Sequence, residues 1–157
     1  MKNHQYKATI TWTGNLGTGT SAYKAYDRAH EIIVNGKPTI PASSDPSFRG
    51  DPERYNPEEL FLASLSSCHM LWYLHLCSEA GVVVVEYTDH ANGTMVEDAN
   101  GSGHFSEVVL HPNVIVSDAS MIDRANELHH EANKFCFIAN SVNFKVHHSP
   151  TCTIKNA

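Results

Sequence analysis

Apolar and polar residues alternate at the start of the chain. Tyr6, Ala8, Ile10 and Trp12 alternate with polar residues across positions 5–12, a period typical of a half-buried strand. Further strands are predicted at 20–26 and 30–34. Asn35-Gly36 then precedes a short apolar run at 37–40, and this dipeptide favours a tight hairpin in which both central residues take positive φ. We therefore expect a small antiparallel sheet in the first third.

A long helix is predicted next. Residues 41–55 show no periodicity and predict a loop. In Asn56-Pro57-Glu58-Glu59 the Asn can cap a helix, Pro suits its first position, and Glu59 can complete a capping box. Apolar residues follow on every side up to Ala80, so we expect a central helix buried by its own sheet or by a partner chain. Interspersed Ser and His residues suggest that it falls short of a membrane span.

The second half of the chain predicts a meander, another helix and a final hairpin. Its strands are predicted at 82–87, 105–110, 114–116, 143–148 and 151–155, with turns at Asn92-Gly93, Asn100-Gly101 and Pro150. An amphipathic stripe from Asp118 toward Cys136 predicts the second helix. This order indicates a single domain, residues 1–157, of α+β class, with mainly antiparallel sheets packed on a long central helix and a second helix.

Composition narrows the function classes. The 157 residues carry a net charge of −6 with only 11 Lys and Arg, which argues against a nucleic-acid partner. The polar start is followed by no apolar segment, so we expect neither a secretory signal nor a membrane partner, and a cytoplasmic location. The four cysteines are then expected to be reduced, catalytic or simply buried.

The cysteines differ in their predicted surroundings. Cys68 lies in the middle of the central helix, where a core thiol is the ordinary interpretation. Cys77 follows nine residues later, which places it on the opposite side of the helix, so these two cannot pair. Cys136 lies near the end of the second helix, where a tertiary contact can bring it close to Cys68.

A reactive Cys68 would need a cation to stabilise its thiolate. It is 11 residues beyond Pro57, too far for the helix dipole, which fades within a turn. Arg49, in the loop before the helix, is the preferred candidate because a guanidinium stays charged beside apolar groups. Arg54 and Arg28 are its rivals.

One pattern resembles a known family. Asn56-Pro57-Glu58-Glu59-Leu60-Phe61, the segment 63–69 around Cys68, and His129, His130 and Ala132 ahead of Cys136 resemble the osmotically inducible protein and organic hydroperoxide resistance (OsmC/Ohr) family. The resemblance implies an OsmC-like fold, an intertwined homodimer and a cofactor-free enzyme that reduces organic hydroperoxides and is recycled by an external dithiol.

The resemblance also implies roles for individual residues. Cys68 matches the peroxidatic Cys, Cys136 the resolving Cys, and Glu58 the carboxylate at the helix start. Arg49 matches the Arg of the osmotically inducible branch, whereas residues 14–17 lack the Arg of the hydroperoxide resistance branch. Phe137 replaces the Pro that follows the resolving Cys in many relatives.

A distance estimate constrains how Glu58 can act. In a continuous helix, ten residues separate Glu58 from Cys68 by about 15 Å, far beyond hydrogen-bond reach. Our hypothesis is that Glu58 holds Arg49 by charge-assisted hydrogen bonds, and that this pair reaches Cys68 across the dimer interface or over a helix break. Phe61, Leu65 and Trp72 would supply an apolar flank for organic hydroperoxides.

Two alternatives remain open at this stage. Several Cys and His residues are zinc-ligand types, but no CxxC or HExxH spacing is present, so no metal is expected. The other alternative is a non-enzymatic small-molecule binding module in which both cysteines are structural. His69 is expected to be a hydrogen-bonded structural residue, and Cys77 and Cys152 to be packing thiols.

Overall fold

The computed structural model describes residues 2–155. The chain divides into two compact units, Met1–Phe61 and Leu62–Ala157. The long helix α1 (Pro57–Glu79) begins in the first unit and continues through the second. Each unit has its own β-sheet structure and is described by itself.

A three-stranded antiparallel sheet forms the first unit. Its strands are β1 (Thr9–Trp12), β2 (His30–Ile33) and β3 (Ile40–Ala42), in the order β1-β2-β3. The predicted sheet is therefore confirmed, although β1 is shorter than the alternating segment suggested. Burial differs from expectation, because every residue of β1 is exposed.

Two local predictions in this unit are wrong. Residues 20–26 form turns and bends rather than a strand. In the β2–β3 hairpin the Lys37 amide donates to the Val34 carbonyl at 3.0 Å, but only Gly36 has positive φ, and Asn35 does not. One glycine in the left-handed region is sufficient for this turn, as in a type II turn.

Helix α1 begins and ends as the sequence predicts. The Glu59 amide donates to Asn56 Oδ1 at 2.8 Å, and the Asn56 amide donates to Glu59 Oε2 at 3.1 Å, which is the reciprocal capping box. At its other end Gly81 has a φ of 72°, and the Val82 amide donates to the Cys77 carbonyl. Such left-handed glycines satisfy the last carbonyls of a helix.

A smaller part of the α1 surface is buried than predicted. Its fully buried residues are Leu65, His69, Tyr73 and Cys77, spaced four apart, so they form one stripe. Leu71 remains 63% exposed. By length and composition α1 could cross a membrane, with a mean hydropathy of 1.3 over its most apolar window, so the expectation that it falls short is wrong by this criterion. In the structure its stripe packs within the second unit.

The second unit contains six strands in two mixed sheets, with helix α2 (Ile122–Phe135). The strands are β4 (Val84–Asp89), β5 (Asn92–Glu97), β6 (Gly103–Leu110), β7 (Pro112–Val116), β8 (Val146–His148) and β9 (Thr151–Ile154). The sheet orders are β4-β7-β9 and β5-β6-β8. The α+β class is confirmed.

Two further predictions are corrected here. Strands β8 and β9 do not form a hairpin: β8 pairs in parallel with β6, and β9 pairs in parallel with β7. Asn92-Gly93 lies inside β5 rather than in a turn, and a Cβ on Gly93 would lie 2.8 Å from the Phe105 ring. Glycine there permits close cross-strand packing, whereas Asn100-Gly101 forms the predicted turn between β5 and β6.

A hydrophobic core joins α1, α2 and the β4-β7-β9 sheet. Asp118 accepts a hydrogen bond from the Ser120 amide and caps the short 3-10 turn that leads into α2. The buried members of this core are Tyr73, Cys77, Val82, Val114, Val116, Ala125, Leu128 and Ala132. Helix α2 therefore lies against α1, close to the position of Cys68.

The capping box provides a test of the helix start. Asn56→Ala should lower the free energy of unfolding by about 1 kcal/mol, because the Glu59 amide loses its acceptor. Asn126→Ala, at an exposed interior position of α2, is the control and should be neutral or slightly stabilising. Urea unfolding at fixed protein concentration measures both, and an Asn56→Ala protein as stable as wild type would contradict the assigned cap.

Candidate functional site

The contact between α1 and α2 depends on a buried histidine pair. His69 Nε2 and His129 Nδ1 are 3.0 Å apart and share a hydrogen bond. Tyr73, one turn after His69, stacks on His129 with ring centroids 3.8 Å apart. Both histidines are at most 1% exposed. This contact fixes the rotation and the axial position of α1 relative to α2. It also confirms the prediction of a hydrogen-bonded structural His69.

This alignment of α1 with α2 brings Cys68 and Cys136 together. Cys68 precedes His69 on α1, and Cys136 is the residue at which α2 ends. Burial first, and then the neighbouring Cys68 thiol, raise the pKa of Cys136 to about 11, so the two thiols lie near each other. The Ala139 amide also donates to Cys136 Sγ at 3.4 Å. The two candidate cysteines thus lie in one site.

The two thiols differ in accessibility. Cys136 is 1% exposed, whereas Cys68 is only partly buried. With its raised pKa, Cys136 is a protonated thiol at neutral pH and a poor initial nucleophile, because the thiolate is the reactive form. Cys68 is therefore the cysteine that a dissolved substrate can reach.

The remaining cysteines lie elsewhere. Cys77 is in the hydrophobic core, and Cys152 packs against the same core. Burial raises the pKa of each thiol, which keeps both protonated and unreactive. This placement agrees with their prediction as packing thiols.

The three candidate arginines lie in the first unit and line one polar cavity of about 340 Å³. Arg28 is fully engaged: its guanidinium donates to the carbonyls of Tyr26 and Tyr23 at 2.6 and 2.8 Å and stacks over both rings. Arg54 forms an ion pair with Asp51 at 3.5 Å. Arg49 has no ion pair within the described residues, so its charge is available to another group.

The backbone at Arg49 supports a specific role. Arg49 is the one non-glycine residue with positive φ among residues 2–155, at 66°. Its loop is held by hydrogen bonds from the Arg49 amide to the Pro46 carbonyl and from the Gly50 amide to the Asp45 carbonyl, both 3.0 Å. A Cβ on Gly50 would overlap the Ser44 carbonyl. Strain that the surrounding structure holds in place is typical of functional positions.

Glu58 is a carboxylate with an unsatisfied oxygen. Its Oε2 atom is buried and has no hydrogen-bond partner in the described part of the chain. Glu58 and Arg49 form no ion pair in the structure. A buried carboxylate oxygen without a partner is costly, so Glu58 needs a complementary donor, whereas the exposed Arg49 can be solvated.

Several buried polar atoms surround the histidine pair. His148 stacks on His69 with ring centroids 5.6 Å apart. His69 Nδ1, His129 Nε2, His148 Nδ1 and the hydroxyls of Tyr73 and Tyr87 have no hydrogen-bond partner among the described residues. Over the same residues, no group of three or more His, Cys, Asp or Glu side chains is arranged to hold a metal ion.

Sequence reasoning missed the structural importance of His129, Tyr73 and the aromatic residues beside Cys136. Trp72 stacks on Phe135 at 5.2 Å and meets the edge of Phe137 at 5.5 Å, between ring centroids. One usable signal for the buried stripe of α1 was the spacing of four between Leu65, His69, Tyr73 and Cys77. The other apolar residues of α1 obscured it, because they made the helix resemble one that is buried on every side.

The family assignment follows from comparison with known proteins. The family model for OsmC-like protein matches residues 50–150. An OsmC-like protein of unknown function from Vibrio cholerae is similar at 33% identity and a TM-score of 0.81, over 95% of this chain and 100% of that one. The chain belongs to the OsmC-like family.

More distant structures share the fold. An organic hydroperoxide resistance protein from Elizabethkingia anophelis has 21% identity and a TM-score of 0.71, over 98% of this chain and 99% of that one. An organic hydroperoxide resistance protein of Bacillus subtilis has 20% identity and a TM-score of 0.62, over 94% and 98%. The search of curated proteins returned no match.

The histidine pair predicts acid sensitivity. Burial lowers the pKa of His69 to about 4 and of His129 to about 3, from an ordinary 6.5. Between pH 6.5 and those values the unfolded chain binds protons that the folded pair does not, so stability is full above pH 6.5 and falls as the pH decreases. The slope should reach about 1.4 kcal/mol per pH unit for each titrating histidine.

Urea unfolding at several pH values between 7 and 4 measures this slope. His129→Gln should reduce it, whereas His104→Gln, exposed on β6, should leave it at the wild-type value. An equal slope in the His129→Gln protein would show that the pair does not cause the acid sensitivity.

Proposed function

We propose that the protein is a thiol peroxidase that reduces organic hydroperoxides through Cys68 and Cys136. The observation that carries this proposal is the proximity of a partly accessible Cys68 to a buried Cys136 at the end of a separate helix. The family membership supports it, because two structural neighbours are organic hydroperoxide resistance proteins. Hydrogen peroxide is a second, smaller substrate of the same chemistry.

The proposed reaction has three balanced steps. The Cys68 thiolate attacks the terminal oxygen of the hydroperoxide, the O–O bond breaks, and the alkoxide takes a proton and leaves as an alcohol. Cys68 becomes a sulfenic acid. The Cys136 sulfur then attacks Cys68, forming the disulfide and releasing water. An external dithiol reduces that disulfide by thiol exchange and is itself oxidised.

Arg49 and Glu58 are proposed as the supporting charges. Arg49 would stabilise the Cys68 thiolate and the departing oxygen, and Glu58 would hold Arg49 through its buried, unsatisfied oxygen. Helix α1 is continuous from Pro57 to Glu79, which removes the helix-break route. We therefore propose that Arg49 of one chain serves the Cys68 of a second chain, and that its contact with Glu58 forms only in that assembly.

A homodimer is part of this proposal. The first unit exposes large apolar side chains, including Ile10, Leu16 and Tyr23, each at least 60% exposed. We assign these side chains to the proposed interface, and the resemblance implies an intertwined partner chain. A cytoplasmic location is part of the same proposal.

Cysteine variants test the mechanism. Cys68→Ser should abolish peroxide reduction, because no accessible thiol remains in the site. Cys136→Ser should complete one turnover and then stop with a sulfenic acid on Cys68. Mass spectrometry after one equivalent of cumene hydroperoxide should show a Cys68–Cys136 bridge in wild type and a trapped sulfenic acid in Cys136→Ser, and Cys152→Ser is the matched control with wild-type turnover.

The same experiment separates the enzyme from the alternative binding module. A binding module with structural cysteines would lose no free thiols on exposure to the peroxide. Full multi-turnover activity in the Cys136→Ser protein would exclude its resolving role.

Arginine variants test the supporting charges. Arg49→Ala should lower kcat/KM for cumene hydroperoxide by about 10²-fold, as loss of one charged stabiliser typically does, and Arg54→Ala should change it by less than about twofold because Arg54 is already paired. If Glu58 acts through Arg49, Glu58→Gln should add nothing to Arg49→Ala. An Arg49→Ala protein with wild-type kcat/KM would remove Arg49 from the site.

A further inference from the structure

The polar cavity of the first unit, with a volume of about 340 Å³, concentrates positive charge. Three of the chain's four arginines line it, namely Arg28, Arg49 and Arg54, although the protein as a whole has a net charge of −6. Two aspartates, Asp27 and Asp51, also line the cavity, so its three positive and two negative side chains leave a net charge of +1. Guanidinium groups present several N–H donors to the oxygens of an anion, which makes this cavity a candidate anion site.

Arg28 is held in place before any ligand binds. Its guanidinium donates to the carbonyls of Tyr26 and Tyr23 and lies 4.1 and 4.5 Å from the centroids of the same two rings. These bonds use only part of the donor capacity of a guanidinium, which has five N–H groups. Because the side chain is already ordered, a ligand that binds it pays little additional conformational entropy.

Ser43 adds a buried hydroxyl to the same cavity. The residue is 1% exposed, and Ser43 Oγ accepts a hydrogen bond from the Asp51 amide at 3.1 Å. This bond uses the oxygen of the hydroxyl as an acceptor, and a hydroxyl also has one proton to donate. An oxygen of a bound anion would accept that proton.

The two carboxylates of the cavity differ in their partners. Asp51 pairs with Arg54 at 3.5 Å and also accepts a hydrogen bond from the Glu53 amide at 2.9 Å, so its charge is already compensated. Neither Asp27 nor Arg28 nor Arg49 forms an ion pair within the described residues. The uncompensated charges of the lining are therefore two guanidinium groups and one carboxylate.

We propose that this cavity binds a phosphate group, with Arg28, Arg49 and Ser43 as its donors. The three residues lie on separate segments, before β2, after β3 and in the following loop, so they suit the three acceptor oxygens of a phosphate monoester, whereas a carboxylate has two. The volume falls within the range of small-molecule sites, about 300–1,000 Å³, so the phosphate can carry a small organic group. This inference goes beyond the proposed peroxidase function and does not depend on it.

Calorimetric titration of the intact protein tests the site. In a phosphate-free buffer of fixed ionic strength, inorganic phosphate and glycerol 3-phosphate should bind saturably, and acetate should bind at least about tenfold more weakly. Arg49→Gly should weaken phosphate binding about tenfold, the effect of losing one charge-assisted hydrogen bond. The same variant should not lower the thermal midpoint of unfolding, because glycine adopts the φ of 66° at this position without strain.

Two further variants separate binding from damage to the fold. Asp27→Asn should strengthen phosphate binding about threefold, because it removes the opposing carboxylate, and a damaged site would not gain affinity. The backbone carbonyl of Asp27, which accepts a hydrogen bond from Trp12 Nε1 at 2.8 Å, is kept in this variant. Arg124→Gln, at the one arginine outside the cavity, is the matched control and should bind phosphate as wild type does.

The outcomes distinguish this site from the peroxidase. Cys68→Ser should keep the wild-type phosphate affinity, because Cys68 does not line the cavity. Phosphate binding by a protein whose Cys68 is not oxidised by cumene hydroperoxide would retain the site and refute the peroxidase, and oxidation of Cys68 without phosphate binding would do the reverse. Equal affinities for phosphate and acetate, or an unchanged phosphate affinity in Arg49→Gly, would overturn the phosphate site.

Discussion

The candidate site depends on the contact between His69 and His129, which sets the alignment of α1 with α2. A hydrogen bond between two neutral imidazoles, with Tyr73 stacked on one of them, has a narrow range of acceptable geometries. Apolar side chains alone would tolerate sliding or rotation of one helix on the other, because hydrophobic contact is not directional. The buried pair therefore specifies which residue of α1 faces the end of α2, and that residue is Cys68.

The different burial of Cys68 and Cys136 explains how two chemically identical thiols acquire different properties. Cys136 lies at the end of α2, is buried, and is kept protonated by its surroundings. Cys68, on an adjacent helix, remains accessible. The proposed division between an attacking and a resolving sulfur thus rests on this difference in solvent exposure.

The first unit has three features that a second chain would complete. Its sheet has little core of its own, its loop holds Arg49 in a conformation that costs energy, and Glu58 keeps a buried oxygen without a partner. Such features persist only when something else compensates for them. A second chain would compensate for all three, by covering the apolar sheet and by placing the two charges at a thiol, which is why we propose the site and the dimer as one assembly.

The sequence by itself determined the elements that local chemistry controls. The capping box at Asn56, the glycine stop after α1, the amphipathic stripe of α2 and the motif around Cys68 depend on neighbours within a few positions, so they could be predicted together with the α+β class and the family. The sequence also selected the two cysteines, through resemblance. Tertiary structure decided the rest, because contacts between distant residues leave no local pattern. Residues 20–26 form no strand, and β8 and β9 pair in two different sheets. Helix α1 buries a single stripe of residues. His129, 60 positions from His69, determines where the thiols meet.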